Sequence, residues 1–292
     1  MRRRPLLVLL HGCKQTADEV AAGTRIAKLA DDKGWLVLLP QQTKQANAWG
    51  CWNWFDRRTM EGKGEAAIVA AQVRAVRRLY RAHPQRVVLL GMSAGACLAA
   101  VLALRFAKLF AAAGLHSGVA CGAASNAAEA LQAMADGPRA DVGAIASAAR
   151  AGTSARALPL PVCIVQGGAD RVVAERNATE LLHQFLVFNG RIAADTAALP
   201  SADAASSVAL ANGRTMATGD YLVDGRLVAR RIGVMELGHA WSGGDGAFAY
   251  NDPEPPDATA LFGEFFAGVL GQREAAIARW LGKRWERAGG TR

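Results

Sequence analysis

Short unbroken apolar runs alternate along this chain with longer stretches of mixed apolar and polar positions. Leu6-Leu7-Val8-Leu9-Leu10, Val87-Val88-Leu89-Leu90 and Val162-Cys163-Ile164-Val165 are of strand length, and lack of alternation within them marks strands buried on both faces. The pattern predicts strands near 5–11, 35–39, 87–91, 111–116, 162–166 and 230–237. It predicts helices near 18–33, 65–82, 94–107, 174–188 and 257–270, with Gly34 stopping the first and Pro84 ending the second. Strand and helix in turn imply an α/β fold, a mostly parallel sheet with helices on both faces.

Two stretches depart from that rhythm. Residues 120–158 are rich in Ala and Gly with weak helical periodicity, and read as a cap segment. Residues 190–229 hold Asn212-Gly213 and Asp224-Gly225, both hairpin-turn signals, and read as an antiparallel extension of the sheet. Neither suggests an independent unit, so residues 1–272 are expected to form one domain. Residues 273–292 form a basic helix or tail, with Ile277, Trp280, Leu281 and Trp285 at helical spacing. That segment either packs on the domain or contacts a polymer or partner.

With 292 residues and 51% hydrophobic positions the chain can bury one large core. No apolar run approaches the roughly 20 residues that span a bilayer, so no membrane partner is expected. Arg2-Arg3-Arg4 before Leu6 superficially resembles a leader, but the apolar part is short and runs into His11-Gly12-Cys13, so it reads as a strand. The net charge of +9 is arginine scattered over presumed helix faces. No recognition motif accompanies it, which argues against a nucleic-acid partner. No closely spaced His, Cys, Asp and Glu set has metal-ligand spacing, and no cofactor is called for. Oligomeric state is not legible.

The chemistry concentrates at Gly91-Met92-Ser93-Ala94-Gly95, a G-x-S-x-G between an apolar run and an Ala-rich helical segment. That is the form of a nucleophile elbow, a tight strand-to-helix turn that lifts a serine hydroxyl above the sheet. A serine needs a histidine to take its proton, and the histidine needs a carboxylate. Asp170, in the loop after the strand 162–166, is the first choice for the acid; a turn or helix-capping aspartate is the bland alternative. His239, after the strand 230–237, is the first choice for the base. Of the other histidines, His83 precedes Pro84, His183 lies in a helical run and His116 ends an apolar strand, so none has the right chain order and strand end. The two N–H groups that would hold an oxyanion are those of Ala94, after the nucleophile, and Cys13, in the His-Gly-Cys turn after the first strand. His11 would brace that turn.

In order and spacing these segments resemble the esterases related to poly(3-hydroxybutyrate) depolymerase. The resemblance rests on Leu10-His11-Gly12-Cys13-Lys14-Gln15-Thr16-Ala17, Cys51-Trp52-Asn53-Trp54-Phe55, the serine turn and Leu115-His116-Ser117-Gly118. Gly168-Ala169-Asp170-Arg171-Val172-Val173, Gly238-His239-Ala240-Trp241-Ser242-Gly243-Gly244 and Asn251-Asp252-Pro253 complete it, over about residues 5 to 270. It implies an α/β-hydrolase fold and hydrolysis of an ester, small or polymeric, by Ser93, Asp170 and His239. Related branches cleave feruloyl or acetyl esters of plant polysaccharides, so the reaction is implied more firmly than the substrate. A non-catalytic polymer-binding protein on the same scaffold is the alternative of another class, and the intact Ser, Asp and His count against it. The resemblance implies an extracellular or periplasmic protein, while the lack of a recognisable leader leaves the cytoplasm open. Family members carry further strands before the His-Gly-Cys segment, so the N-terminal edge strands are expected to be missing or shortened here.

Cys13 and Cys51 fall in loops expected beside the active site and are read as a disulfide clamping the aromatic loop, whereas Cys97 and Cys163 read as small buried thiols. Trp49, Trp52 and Trp54 place three of the seven tryptophans within six residues. The cluster is either a core plug or, through Trp52 and Trp54 with Trp241 opposite, an apolar wall for substrate. Glu65 reads as a helix-start carboxylate rather than a catalytic one.

Overall fold

The computed structural model describes residues 3–287, save the side chains of Arg156 and of residues from 274 onward. Five parallel strands come first: β1 (Leu6–Leu10), β2 (Leu36–Leu38), β3 (Val87–Met92), β4 (Ala112–His116) and β5 (Val162–Gly167). Then β6 (Ala204–Ala209), β7 (Thr215–Val223) and β8 (Arg226–Val234) follow, giving one eight-stranded sheet in the order β2-β1-β3-β4-β5-β8-β7-β6. β8 lies parallel to β5, and β7 runs antiparallel to both β6 and β8. Short β9 (Trp241–Ser242) and β10 (Asn251–Asp252) pair separately.

The continuous apolar runs have their explanation in this sheet. Side chains alternate across a strand, and in β1 Leu6, Val8 and Leu10 face one core while Leu7 and Leu9 face the other. Helices α1 (Ala17–Thr24) and α2 (Ile26–Lys33) supply part of the second core. Short α3 (Arg57–Met60) leads into α4 (Gly64–Leu79), and α5 (Ala94–Arg105), α6 (Ala127–Asp136), α7 (Val142–Ala151) and α8 (Arg176–Asn189) cover the first core with α4. Long α9 (Ala258–Arg287) closes the second face with Phe262, Phe265 and Phe266. Among the described residues no helix is long and apolar enough to cross a membrane.

Some boundaries differ from those the pattern predicts. The helix expected over 18–33 breaks at Arg25, which takes φ 55°. Tertiary contacts take its carbonyls there: Asp245 N–H donates to Gly23 O (2.8 Å) and Thr259 Oγ1 to Thr24 O (2.6 Å). The last strand begins at Arg226 and stops at Val234, so Met235 to Gly238 form a loop. The Ala-rich stretch of 120–158 contains α6 and α7, and both hairpin signals mark real turns between β6, β7 and β8. Beyond position 272 the backbone continues in the same helix α9; the side chains of Ile277, Trp280, Leu281 and Trp285 lie outside those described.

Candidate active site

Parallel strands bring the loops at their C-terminal ends to one rim, and three of those loops meet here. Ser93 follows β3 directly and has φ 55°, ψ −123°, a conformation L-residues rarely adopt. Small neighbours permit the turn. A Cβ at Gly91 would collide with the Gly95 carbonyl, and one at Gly95 with the carbonyls of Leu10 and His11. The Ser93 N–H donates to His116 O at 2.9 Å, tying the elbow to the end of β4.

The Ser93 hydroxyl lies 3.0 Å from His239 Nε2, and His239 Nδ1 lies 2.8 Å from Asp170 Oδ2. With Nδ1–H donating to the carboxylate, Nε2 is left to accept the serine proton. Asp170 also receives the N–H groups of Val172 and Val173, both at 2.9 Å, and Gln166 Nε2 at 3.3 Å. Burial raises its pKa, but the bond and charge of His239 with those two N–H groups outweigh it and hold the carboxyl below its ordinary value. Asp170 thus stays ionised beside the imidazole.

Opposite the serine, the turn after β1 is fixed from several sides. The His11 ring is fully buried, with Nε2 accepting from Gln42 N–H (3.1 Å) and Nδ1 donating to Gly12 O (2.8 Å). Burial pushes this imidazole below its usual range, so the ring is a neutral brace. Gln15 Oε1 accepts the Gly12 N–H at 2.8 Å and the Lys14 N–H goes to Trp49 O at 3.0 Å. The Cys13 N–H between them, and the Ala94 N–H at the start of α5, donate to no acceptor among the described residues. Cys13 and Cys51 are joined by a disulfide with Cα atoms 4.2 Å apart. Cys97, Cys121 and Cys163 are free buried thiols, with Cys97 and Cys163 pushed up to about 12 by burial.

The tryptophans correct the expected substrate wall. Trp52 is 4% exposed, Trp54 3% and Trp241 0%. Trp52 Nε1 donates to His11 O at 3.0 Å, and Trp54 packs edge-on against Phe55. Trp241 stacks on buried His116 and donates to Thr259 Oγ1 at 3.0 Å. All three hold loops from within because their N–H groups or faces find partners in the core. Trp49 alone of this cluster is exposed, at 68%.

One organising residue had no sequence signal beyond its helix-start position. The Glu65 carboxylate accepts Asn53 N–H (2.7 Å), Asn53 Nδ2 (2.7 Å) and Gln42 Nε2 (2.6 Å), pinning both ends of the loop that carries the tryptophans. Among the described residues no group of three His, Cys, Asp or Glu side chains could hold a metal ion.

A serine hydrogen-bonded to an imidazole that is oriented by a buried carboxylate can be activated for attack on a carbonyl carbon. A family model described as esterase PHB depolymerase matches residues 1–208. The chain belongs to that family. Poly(3-hydroxyalkanoate) depolymerase C of Paucimonas lemoignei is 33% identical over 188 residues, 64% of this chain and 45% of that protein. Feruloyl esterase B of Neurospora crassa is 32% identical over 125 residues, 43% of this chain and 42% of the relative. The chain thus spans less than half the length of these curated relatives. Among solved structures, an acetyl xylan esterase from Aspergillus awamori superposes with TM-score 0.67 at 23% identity, over 81% of this chain and 84% of that one. Esterase PE8 gives 0.55 at 15% identity, over 91% and 93%. These likenesses show an α/β-hydrolase fold, with its mostly parallel sheet and flanking helices.

Proposed function

We propose that this chain is a serine esterase that hydrolyses carboxylic esters through an acyl-enzyme. The observation that carries the reading is the continuous hydrogen-bonded line from Ser93 through His239 to Asp170. His239 Nε2 takes the Ser93 proton as Oγ attacks the ester carbonyl. The N–H groups of Cys13 and Ala94 hold the resulting oxyanion, a contribution commonly worth about 2.7–4 kcal/mol of barrier per donor. The alcohol leaves with the proton from His239; water, deprotonated by the same ring, then releases the acid and restores Ser93.

Family membership favours poly- or oligo(3-hydroxybutyrate) and related short-chain esters as substrates. Likeness to feruloyl and acetylxylan esterases supports carbohydrate esters as a second reading. Relative rates on hydroxybutyrate oligomers and on acetylated or feruloylated sugars separate the two. Ser93→Ala tests the reaction itself: hydrolysis of p-nitrophenyl butyrate is expected to be lost, and retention of the full rate would remove Ser93 from the chemistry. Failure of a fluorophosphonate probe to label the wild type, with polymer binding intact, would favour the binding-protein alternative.

A further inference from the structure

The exposed indole of Trp49 stands on a loop that is not slack. Its N–H donates to Asn47 Oδ1 at 3.0 Å, its carbonyl accepts from Lys14, the disulfide lies two residues on, and Glu65 anchors Asn53 beyond. The indole is thus held outward by a fixed loop, 68% exposed.

Lys14 meets it there. The residue has φ 60°, a left-handed conformation that costs a non-glycine residue energy, and its ammonium lies 5.2 Å from the Trp49 ring centroid. No ion pair joins Lys14 to a carboxylate among the described residues. Lys14 also follows Cys13, the residue of the proposed oxyanion donor, directly in sequence, so their Cα atoms are about 3.8 Å apart.

We propose that Lys14 and Trp49 form a subsite for an ester carrying a free carboxylate one repeat from the scissile bond, the class of a short hydroxyacid oligomer. The ammonium pairs with that carboxylate, and the indole covers the adjacent methyl and methylene carbons. The assignment rests on the esterase reading above and narrows its substrate.

The test compares kcat/KM for the carboxylate-terminated dimer of 3-hydroxybutyrate with that for its methyl ester at low salt. Lys14→Gln is expected to lower this anionic-to-neutral ratio roughly fivefold, and Lys14→Glu further, as for loss of one exposed ion pair. In the wild type the preference shrinks at about 1 M salt, where charges are screened over a few ångströms. Trp49→Ala is expected to raise KM on both esters, and an unchanged KM would remove the indole from the subsite. A ratio unmoved by Lys14→Gln, or equal losses on both esters, would overturn the assignment. So would a ratio that falls only in Arg171→Gln, in the loop that carries Asp170. If Ser93→Ala hydrolyses both esters at the wild-type rate, the failure lies instead with the esterase reading.

Discussion

Ser93 sits in a backbone conformation that only the smallness of its neighbours makes available. Gly95 passes so close to the end of β1 that the carbonyls of Leu10 and His11 occupy the space of a side chain. Backbone atoms cannot rotate away as a flexible side chain could. Gly95→Ala is therefore expected to destabilise by about 1–3 kcal/mol in urea unfolding and to displace the hydroxyl from His239. At the other end of the hydrogen-bonded line, Asp170 fixes the tautomer of His239. On the proposed mechanism Asp170→Asn leaves the shape intact and presents the wrong tautomer, so kcat should fall about 10⁴-fold. Steady-state kinetics on p-nitrophenyl butyrate give the answer, and a loss under roughly tenfold would release Asp170 from that role.

Among the elements, the loop between β2 and α3 gains its order from partners outside itself. The disulfide ties it to the turn after β1 across a sequence separation of 38. A cross-link of that span contributes about 2–4 kcal/mol by restricting the unfolded chain. The double variant Cys13→Ser, Cys51→Ser should lose that much in denaturant titration, and wild-type protein treated with reductant should match it. Glu65 is the second tie. Glu65→Ala leaves the N–H donors of Asn53 and the Gln42 amide without their carboxylate, at an expected cost of about 2–3 kcal/mol. A thermal shift within error of the wild type would show that the loop does not depend on it.

For the molecule as a whole, pH sensitivity should come from groups buried beneath the rim. His116 is fully enclosed, stacked on Trp241, and burial pushes its pKa from 6.5 down to about 3, with the nearby His239 adding to the shift. Below 6.5 the unfolded chain takes up a proton that the folded one refuses until about 3. Its contribution is full above the unfolded value and declines with falling pH, by up to about 1.4 kcal/mol per pH unit. Asp170, held below its ordinary value, adds a second loss at still lower pH as its carboxylate protonates. Urea unfolding at pH 7 and pH 5 should show the wild type weakening more steeply than His116→Phe. Equal slopes would mean that His116 is not the group responsible.

Much of this protein is written locally. Unbroken apolar runs set the strands, Gly34 stops α2, and the hairpin signals at Asn212-Gly213 and Asp224-Gly225 set the antiparallel edge, because each depends on a few adjacent residues, whereas α4 ends at Leu79, ahead of the expected stop at Pro84. The order of Ser93, Asp170 and His239, each just past a strand, was legible for the same reason: parallel strands deliver such loops to one rim. Burial of the tryptophans was not legible. Whether an indole faces solvent depends on what distant segments place over it, and His11, Thr259 and His116 decided the cases of Trp52 and Trp241. The helix break at Arg25 likewise came from Asp245 and Thr259, far along the chain, taking carbonyls the helix would have used. Local pattern determined the elements and the side chains that meet at the rim; long-range hydrogen bonds and packing decided which surfaces around them remained open.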